Sequence, residues 1–279
     1  MKVGVHVSIK DSIDQAVDRA QEYGCDTFQM LTRNPQGWKF GDLDIEQVKK
    51  FREKLGQSKI SPVVDHMPYL PNLSCPEDEI YEKSVASFAA EVDRCGTLGI
   101  SYLVVHLGSH LGKGRDVGLE RIGSALTLGA KRAKGELRIL LENMAGTKNS
   151  MGSNFQDIKE ILDSVTKRER LGVCLDTCHL YAAGFDVQSE RGVRQTMAKF
   201  NEVVGFDTLK VVHLNDSKGG LASGLDRHQN IGKGYIGEKG FRAILHHSAV
   251  KELPLILETP VDEPDDVLSD LQMVRKLAK

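Results

Sequence analysis

Carboxylate and imidazole side chains recur along the sequence at corresponding places, each directly after a short apolar run. Glu142 and Glu258 both follow aliphatic residues, and a carboxylate buried in this way must be paired or must bind a metal ion. Side chains of these types stand at six consecutive run ends, namely His66, His106, Glu142, Asp176, His213 and Glu258. Three further candidates lie nearby: His179, three residues beyond Asp176, and the pair Asp226 and His228, whose spacing of two points both side chains the same way in extended chain.

This set of five histidines and four carboxylates, without a cysteine, favours Zn²⁺, with Mn²⁺ or Fe²⁺ as alternatives, over Ca²⁺ or Mg²⁺. Nine ligands exceed one tetrahedral site, whereas three ions that share a bridging carboxylate would use all nine and leave positions for water and substrate oxygens. Such a cluster suits hydrolysis of phosphate esters, because the metals supply hydroxide near neutral pH and stabilise the attacking and leaving oxygens.

Other residues of chemical interest have simpler interpretations. Cys174 and Cys178 flank Asp176 at strand spacing, and buried thiols commonly serve as small apolar packing residues. His6 ends the first apolar run and is expected to face the cleft in a hydrogen-bonding role. The run Gly232-Lys233-Gly234-Tyr235-Ile236-Gly237 does not open a helix after a strand, as a phosphate-binding fingerprint requires, so we expect it only to turn the chain.

The elements that must position these residues alternate between short β-branched runs and segments of helical period. Strands are predicted at 2–8, 27–33, 62–67, 102–109, 138–145, 171–179, 209–215 and 254–259, and helices at 11–23, 45–55, 80–98, 119–133, 155–165, 193–204, 241–246 and 267–277. Eight repeats indicate a (β/α)8 TIM barrel, since a doubly wound sheet usually stops at five or six strands. We expect a single catalytic domain over residues 1–279, with the metal cluster at the C-terminal face of the strands.

The composition narrows the class of protein further. The chain of 279 residues is 40% hydrophobic and 27% charged, which excludes a disordered or low-complexity protein. No apolar run approaches the ~18 residues of a membrane helix, and five cysteines, an odd number, indicate reduced thiols in the cytoplasm rather than disulfides. The net charge of −2 argues against a nucleic-acid partner, but three divalent ions would add +6 and make the cleft positive.

Three long motifs carry a resemblance to a known family. They are GVCLDTCHLYAAGFD at 172–186, VVHLNDSKGGLASGLDRHQNIGKGYIG at 211–237 and VVHLGSH at 104–110. The chain resembles, over nearly its whole length, the endonuclease IV family of abasic-site DNA repair enzymes. The resemblance implies a (β/α)8 barrel with three zinc ions. It assigns His66 and His106 to the first ion, Asp176, His213 and Glu258 to the second, His179, Asp226 and His228 to the third, and Glu142 as the catalytic bridge that positions hydroxide between the first two.

The resemblance also implies the reaction and the partner. The expected reaction is hydrolysis of the phosphodiester 5′ to an abasic deoxyribose, which leaves a 3′-hydroxyl and a 5′-deoxyribose phosphate without a covalent intermediate. Blocked 3′ ends would be cleaned by the same chemistry. The expected partner is double-stranded DNA with such lesions, and the protein is expected to act as a monomer.

Several residues are predicted to contact DNA. Tyr69 and Leu70 follow His66 closely, and an aromatic and an aliphatic side chain on the rim are suited to wedge into the base stack. The predicted contacts are Tyr69, Leu70, Asn34, Gln36, Arg227 and His6. The sequence departs from the family at two places, where Gln36 replaces a basic probing residue and 222–224 reads Ala-Ser-Gly instead of Gly-Ser-Arg.

Two other classes of protein remain as alternatives. A sugar isomerase or epimerase on the same barrel needs only one or two ions, held by ligands equivalent to Glu142, Asp176, His213 and Glu258. The extra histidines His66, His106, His179 and His228 discriminate against it. A non-enzymatic damage-binding protein would have no use for a complete hydrolytic ligand set.

Overall fold

The computed structural model describes residues 1–35, 37–39, 41–263 and 265–279. Within them, eight parallel strands form a barrel, and two further short strands form a hairpin. The barrel strands are β1 (Lys2–Val5), β2 (Phe28–Met30), β3 (Val63–His66), β4 (Tyr102–His106), β5 (Arg138–Glu142), β6 (Leu171–Asp176), β7 (Leu209–His213) and β10 (Pro254–Leu257). The hairpin consists of β8 (Asp216–Ser217) and β9 (His228–Gln229).

Consecutive barrel strands are neighbours around the ring, and the ring closes between its first two strands. β1 pairs with β10 in a register of four residues that runs from Lys2 opposite Pro254 to Val5 opposite Leu257. On its other side, β1 meets β2 through a bridge between His6 and Gln29 and a hydrogen bond from Val7 N to Gln29 O of 2.8 Å. The (β/α)8 barrel predicted from the alternating pattern is therefore present.

Helices connect the strands and cover the barrel. They are α1 (Gln15–Glu22), α2 (Ile45–Gln57), α3 (Asp78–Leu98), α4 (Arg115–Arg132), α5 (Phe155–Ser164), α6 (Thr177–Ala182), α7 (Glu190–Val203), α8 (Gly237–His246) and α9 (Asp266–Leu277). Among the described residues, no helix combines the length and the apolar character that a membrane crossing requires.

Two buried layers follow from the period of two along each strand. One residue from each of six strands forms the interior apolar layer, made of Val64, Val104, Leu140, Cys174, Val211 and Ile256. The alternate residues, such as Val63, Val105 and Leu141, belong to the larger core between the barrel and its helices. The position two residues beyond each interior residue therefore faces inward again, one layer nearer the C-terminal rim.

The structure corrects the predicted elements in three respects. The strands are shorter than predicted and mostly end at the candidate ligand. The predicted strand 171–179 stops at Asp176, and residues Thr177–Ala182 form α6 instead. The hairpin of β8 and β9 was not predicted, because strands of two residues leave no periodic pattern.

Candidate metal centre

The nine predicted ligands lie together at the C-terminal rim of the barrel. Five of them are the last residues of strands β3 to β7, and Glu258 directly follows β10. Each of these six stands two residues beyond a member of the interior apolar layer, which explains why all six side chains point to the barrel axis. His179 comes from α6, and Asp226 and His228 come from the hairpin and its loop.

Glu142 lies at the centre of the cluster, and its two oxygens face different partners. Oε2 lies 3.2 Å from His66 Nε2 and 3.0 Å from His106 Nε2. Oε1 lies 2.9 Å from His213 Nδ1. The carboxylate of Glu142 is fully buried, and each of its oxygens contacts a different group of candidate ligands. A ligand that bridges two metal ions needs this arrangement.

Two further groups of ligands adjoin Glu142. In the first, ligand atoms of Glu142, Asp176, His213 and Glu258 lie within 4.8 Å of one another, and His213 Nδ1 is 3.1 Å from Glu258 Oε2. In the second, Asp226 Oδ1 lies 3.2 Å from His179 Nε2 and 3.5 Å from His228 Nε2. Asp176 Oδ2 is 3.7 Å from His228 Nε2, so the groups are contiguous.

Hydrogen bonds on the far side of the imidazole rings determine which nitrogen faces the cluster. The Nδ1 atoms of three rings contact backbone carbonyls: His66 with Met67 at 2.7 Å, His179 with Asn143 at 2.8 Å, and His228 with Glu258 at 3.1 Å. The Nε2 atoms of these three rings therefore face the cluster. Metal-binding histidines in proteins are oriented by contacts of this kind.

Two observations test whether these residues fit metal ions. Among the described residues, only three buried side-chain nitrogen or oxygen atoms lack a hydrogen-bond partner, and two of them are His179 Nε2 and His228 Nε2, which converge on Asp226 without hydrogen-bond geometry. No lysine or arginine of the described residues pairs with the four cluster carboxylates. Unpartnered imidazole nitrogens, and carboxylates with no lysine or arginine partner, are the donors that divalent cations bind.

The cluster also shifts the pKa values of its members. Burial alone would raise the pKa of Glu142, but the imidazoles of His213 and His106 lower it well below its ordinary value. Burial would lower the pKa of His179, but Asp176 and Asp226 raise it to about 10. Without metal, protonated imidazoles therefore supply the positive charge that the carboxylates need, and a bound cation would displace those protons.

Comparison with known proteins agrees with this geometry. A family model described as a xylose isomerase-like TIM barrel matches residues 17–277. The probable endonuclease 4 of Methanoculleus marisnigri is 52% identical over 277 residues, covering 99% of this chain and 98% of that protein. The probable endonuclease 4 of Nitrosopumilus maritimus is 46% identical over 280 residues and covers both chains fully. The crystal structure of endonuclease IV from Thermus thermophilus superposes with a TM-score of 0.89 at 34% identity, covering 99% of this chain and 98% of that one.

The chain belongs to the endonuclease IV family. The family resemblance and the TIM barrel predicted from sequence are thus confirmed. The prediction of a DNA repair endonuclease, in preference to an isomerase or a non-enzymatic binding protein, is confirmed at the level of the family.

In this member of the endonuclease IV family, three amide side chains that were not predicted from the sequence orient the candidate ligands. Gln29 donates to Glu258 Oε1 at 2.5 Å, and its Oε1 lies 2.8 Å from His213 Nε2. Asn215 donates to Asp176 Oδ2 at 2.6 Å, and the Asn143 side-chain oxygen accepts from Asp176 N at 2.7 Å. All three amides are buried. A polar residue inside an apolar strand, as in Phe28-Gln29-Met30, was the available signal.

The predicted DNA contacts occupy different positions relative to this cluster. Tyr69 and Leu70 are 63% and 38% exposed, and Tyr69 lines the site cavity of about 230 Å³ together with His6. Arg227 is exposed beside Asp226, and Asn34 is exposed on the loop after β2. Gln36 lies outside the described residues. Burial lowers the pKa of His6 to about 4, so this ring would be neutral towards a phosphate.

The two cysteines beside Asp176 differ in position. Cys174 belongs to the interior apolar layer, as expected of a packing residue. Cys178 Sγ lies within 4.8 Å of ligand atoms of Asp176 and His228. Burial raises the pKa of both thiols to about 12.

Proposed function

We propose that this protein hydrolyses the phosphodiester bond 5′ to abasic sites in double-stranded DNA and leaves a 3′-hydroxyl and a 5′-deoxyribose phosphate. The same site would remove blocking groups from 3′ ends. The observation that carries the proposal is the convergence of nine ligands on one rim, with the two oxygens of Glu142 directed to different groups. Membership of the endonuclease IV family supports it.

The proposed cluster contains three zinc ions, with Mn²⁺ or Fe²⁺ as alternative occupants. His66 and His106 would hold the first ion, Asp176, His213 and Glu258 the second, and His179, Asp226 and His228 the third, with Glu142 shared between the first two. When bound, such ions supply hydroxide near neutral pH and stabilise the attacking and leaving oxygens of a phosphodiester. The third group supports a phosphoesterase over an isomerase, which has little use for it.

The side chains around the cluster would keep the proposed ligands in position. Gln29 and Asn215 hold the carboxylates in fixed orientations, so that the ligands need little rearrangement when an ion binds. Among the described residues that line the cavity there is no lysine, and a lyase mechanism would need an amine there to attack the sugar. This lining supports hydrolysis.

The recognition of the lesion is assigned to the rim. Tyr69 is largely exposed beside the cavity, and Leu70 is its neighbour. We propose that they enter the base stack at an abasic site, where no base opposes them. Arg227, Asn34, Gln36 and His6 are proposed as further contacts, and the enzyme is proposed to act as a monomer.

A product analysis tests the reaction. The purified protein is incubated with a duplex that carries one abasic site, and the nicked strand is offered to a polymerase. A 3′-hydroxyl that is extended directly is expected, with activity lost on prolonged chelation and restored by Zn²⁺. A 3′ end blocked by an unsaturated aldehyde would identify a lyase and refute the proposal.

Elemental analysis of the same preparation tests the cluster. About three ions per chain are expected from the ligand count. A firm result of one ion or none would overturn the trinuclear assignment.

A further inference from the structure

The glycine-rich run 232–237 folds around the carboxylate of Asp216. Asp216 is fully buried and accepts hydrogen bonds from the backbone N–H groups of Gly232 at 3.0 Å, Gly234 at 2.9 Å and Ile236 at 2.9 Å. The N–H of Gly237 approaches it at 3.3 Å. Several backbone N–H groups aimed at one point form an anion-binding nest, and the anion in this nest is the protein's own carboxylate.

The glycines of this run are explained by the same arrangement. A Cβ at Gly234 would lie 2.5 Å from Asp216 Oδ1 and 2.5 Å from Ser217 O, so no side chain fits there. Gly232 and Gly237 have φ angles of 82° and 68°, which disfavour other residues. The backbone N–H groups that could bind a substrate phosphate are therefore occupied by the Asp216 carboxylate. The run has a structural role within the chain.

Asp216 belongs to the hairpin that carries two of the proposed ligands. In the antiparallel pairing of β8 with β9, Asp216 is opposite Gln229 and Ser217 is opposite His228. Asp226 lies two residues before His228. A ladder of two residues on each strand is marginal by itself, and the connecting loop is largely exposed, with Leu221 and Leu225 49% and 43% accessible. The hairpin therefore needs an anchor outside its own ladder.

We propose that Asp216 is the positioning residue for the third metal ion. Its carboxylate ties the start of the hairpin to the segment that follows β9, and this fixes the backbone on both sides of Asp226 and His228. Asp270 of α9 reinforces the same segment by accepting from Ile231 N at 3.0 Å. The inference rests on the proposed trinuclear cluster, and it concerns residues that touch no ligand atom of that cluster.

The test is the metal affinity of Asp216→Asn. This change keeps the size of the side chain but turns an amide N–H group towards donors that need an acceptor. Zinc per chain is measured by elemental analysis after equilibration at graded free zinc concentrations. The third ion is expected to bind about 10- to 100-fold more weakly, as for other residues that support metal ligands, while two ions per chain keep the wild-type affinity.

Two further variants test whether the effect is specific. One changes a buried aspartate elsewhere in the barrel, and the other disturbs the loop 232–237 without changing Asp216. Asp157 is a buried aspartate whose Oδ2 accepts from Gly152 N at 3.1 Å in the loop after β5, and Asp157→Asn should retain all three ions. Gly234→Ala keeps the Asp216 carboxylate but displaces the loop, and it should lose the third ion selectively. Thermal melting at saturating zinc monitors the fold of each variant.

The measurements distinguish a failure of the proposed role of Asp216 from a failure of the proposed trinuclear cluster. Three ions with wild-type affinity in Asp216→Asn would overturn the positioning role and leave the proposed function intact. A parallel loss of all three ions with a lower melting temperature would also overturn it, because Asp216 would then be a general stabiliser. A wild-type protein with fewer than three ions would overturn the trinuclear cluster itself.

Discussion

At the scale of single residues, the geometry of the site depends on groups that hold the proposed ligands in place. Backbone carbonyls determine which nitrogen of His66, His179 and His228 faces the cluster, and Gln29 does so for His213. The ligand types could be predicted from the sequence, because histidine or a carboxylate after an apolar run is rare without a partner. Asn143 and Asn215 could not, because an asparagine beside a strand end is equally common in turns and caps.

Tyr69 provides the residue-scale prediction about DNA. Its side chain is 63% exposed and lines the cavity, so Tyr69→Ala should leave folding and metal content unchanged. Stacking on a base is worth ~1–3 kcal/mol, so the affinity for abasic duplex should fall about 5- to 150-fold. The measurement compares abasic and intact duplexes at one salt concentration.

The control for this prediction is another exposed tyrosine. Tyr235 is 57% exposed but does not line the site cavity, and Tyr235→Ala should retain the preference for abasic over intact duplex. Equal losses of affinity for both duplexes in Tyr69→Ala would show that Tyr69 does not probe the lesion.

At the scale of elements, the main error of the sequence-based prediction is informative. Residues 171–179 read as one apolar strand, yet the strand ends at Asp176, whose side chain accepts from His179 N at 2.7 Å and begins α6. One carboxylate therefore caps a helix and belongs to the ligand cluster. A helix spacing of three still brings His179 to the same rim, so its position was predicted although its element was not.

A buried ionic network joins the loop after β2 to α3 and gives a stability prediction. Glu91, fully buried on α3, accepts from Arg33 Nε at 2.6 Å and also contacts Thr32 and Arg94. Removal of one partner from a buried ion pair typically costs about 3–5 kcal/mol, so Glu91→Ala should lower the free energy of unfolding by about that amount in urea. Glu82→Ala, exposed on the same helix, should change it by less than about 0.5 kcal/mol.

The contact between α1 and α2 gives a prediction about pH. Lys54 Nζ lies 2.6 Å from the buried Asp14, and hydrogen bonds from Lys54 and then Ser12 lower the pKa of Asp14. A lowered pKa in the folded state means that the ionised form stabilises the fold above about pH 4 and that this contribution disappears as the pH falls through the folded pKa. Asp14→Asn should therefore destabilise the protein by about 1 kcal/mol at pH 7 and by progressively less at acidic pH.

The relevant measurement is the difference in unfolding free energy between wild type and variant across the pH range, in which changes common to both proteins cancel. Asp11→Asn serves as the comparison, since Asp11 is 71% exposed and its contact with Arg19 is 3.4 Å long. A difference for Asp14→Asn that did not shrink towards low pH would contradict the prediction.

At the scale of the whole molecule, the proposed ligands span positions 66 to 258, and six of them stand at or directly after the ends of six of the eight barrel strands. Metal binding should therefore stabilise the entire barrel. An ion present at about 1,000 times its dissociation constant contributes about 4.1 kcal/mol, so chelation should lower the melting temperature markedly and Zn²⁺ should restore it. A melting curve that chelation leaves unchanged would mean that the cluster is not occupied in the folded protein.

The pairing of β1 with β2 affects how the barrel opens locally. The bridge of His6 with Gln29 and the backbone hydrogen bonds from Val7 N to Gln29 O and from Asp26 N to Val3 O join the two strands, and the Gln29 side chain also contacts Glu258 and His213. Opening this pairing must then disturb two cluster residues, and an occupied cluster must resist the opening. Amide hydrogen exchange at Val7 should accordingly slow on zinc loading by more than exchange at the centre of β4, which makes the Val7 amide proton a reporter of whether the site is filled.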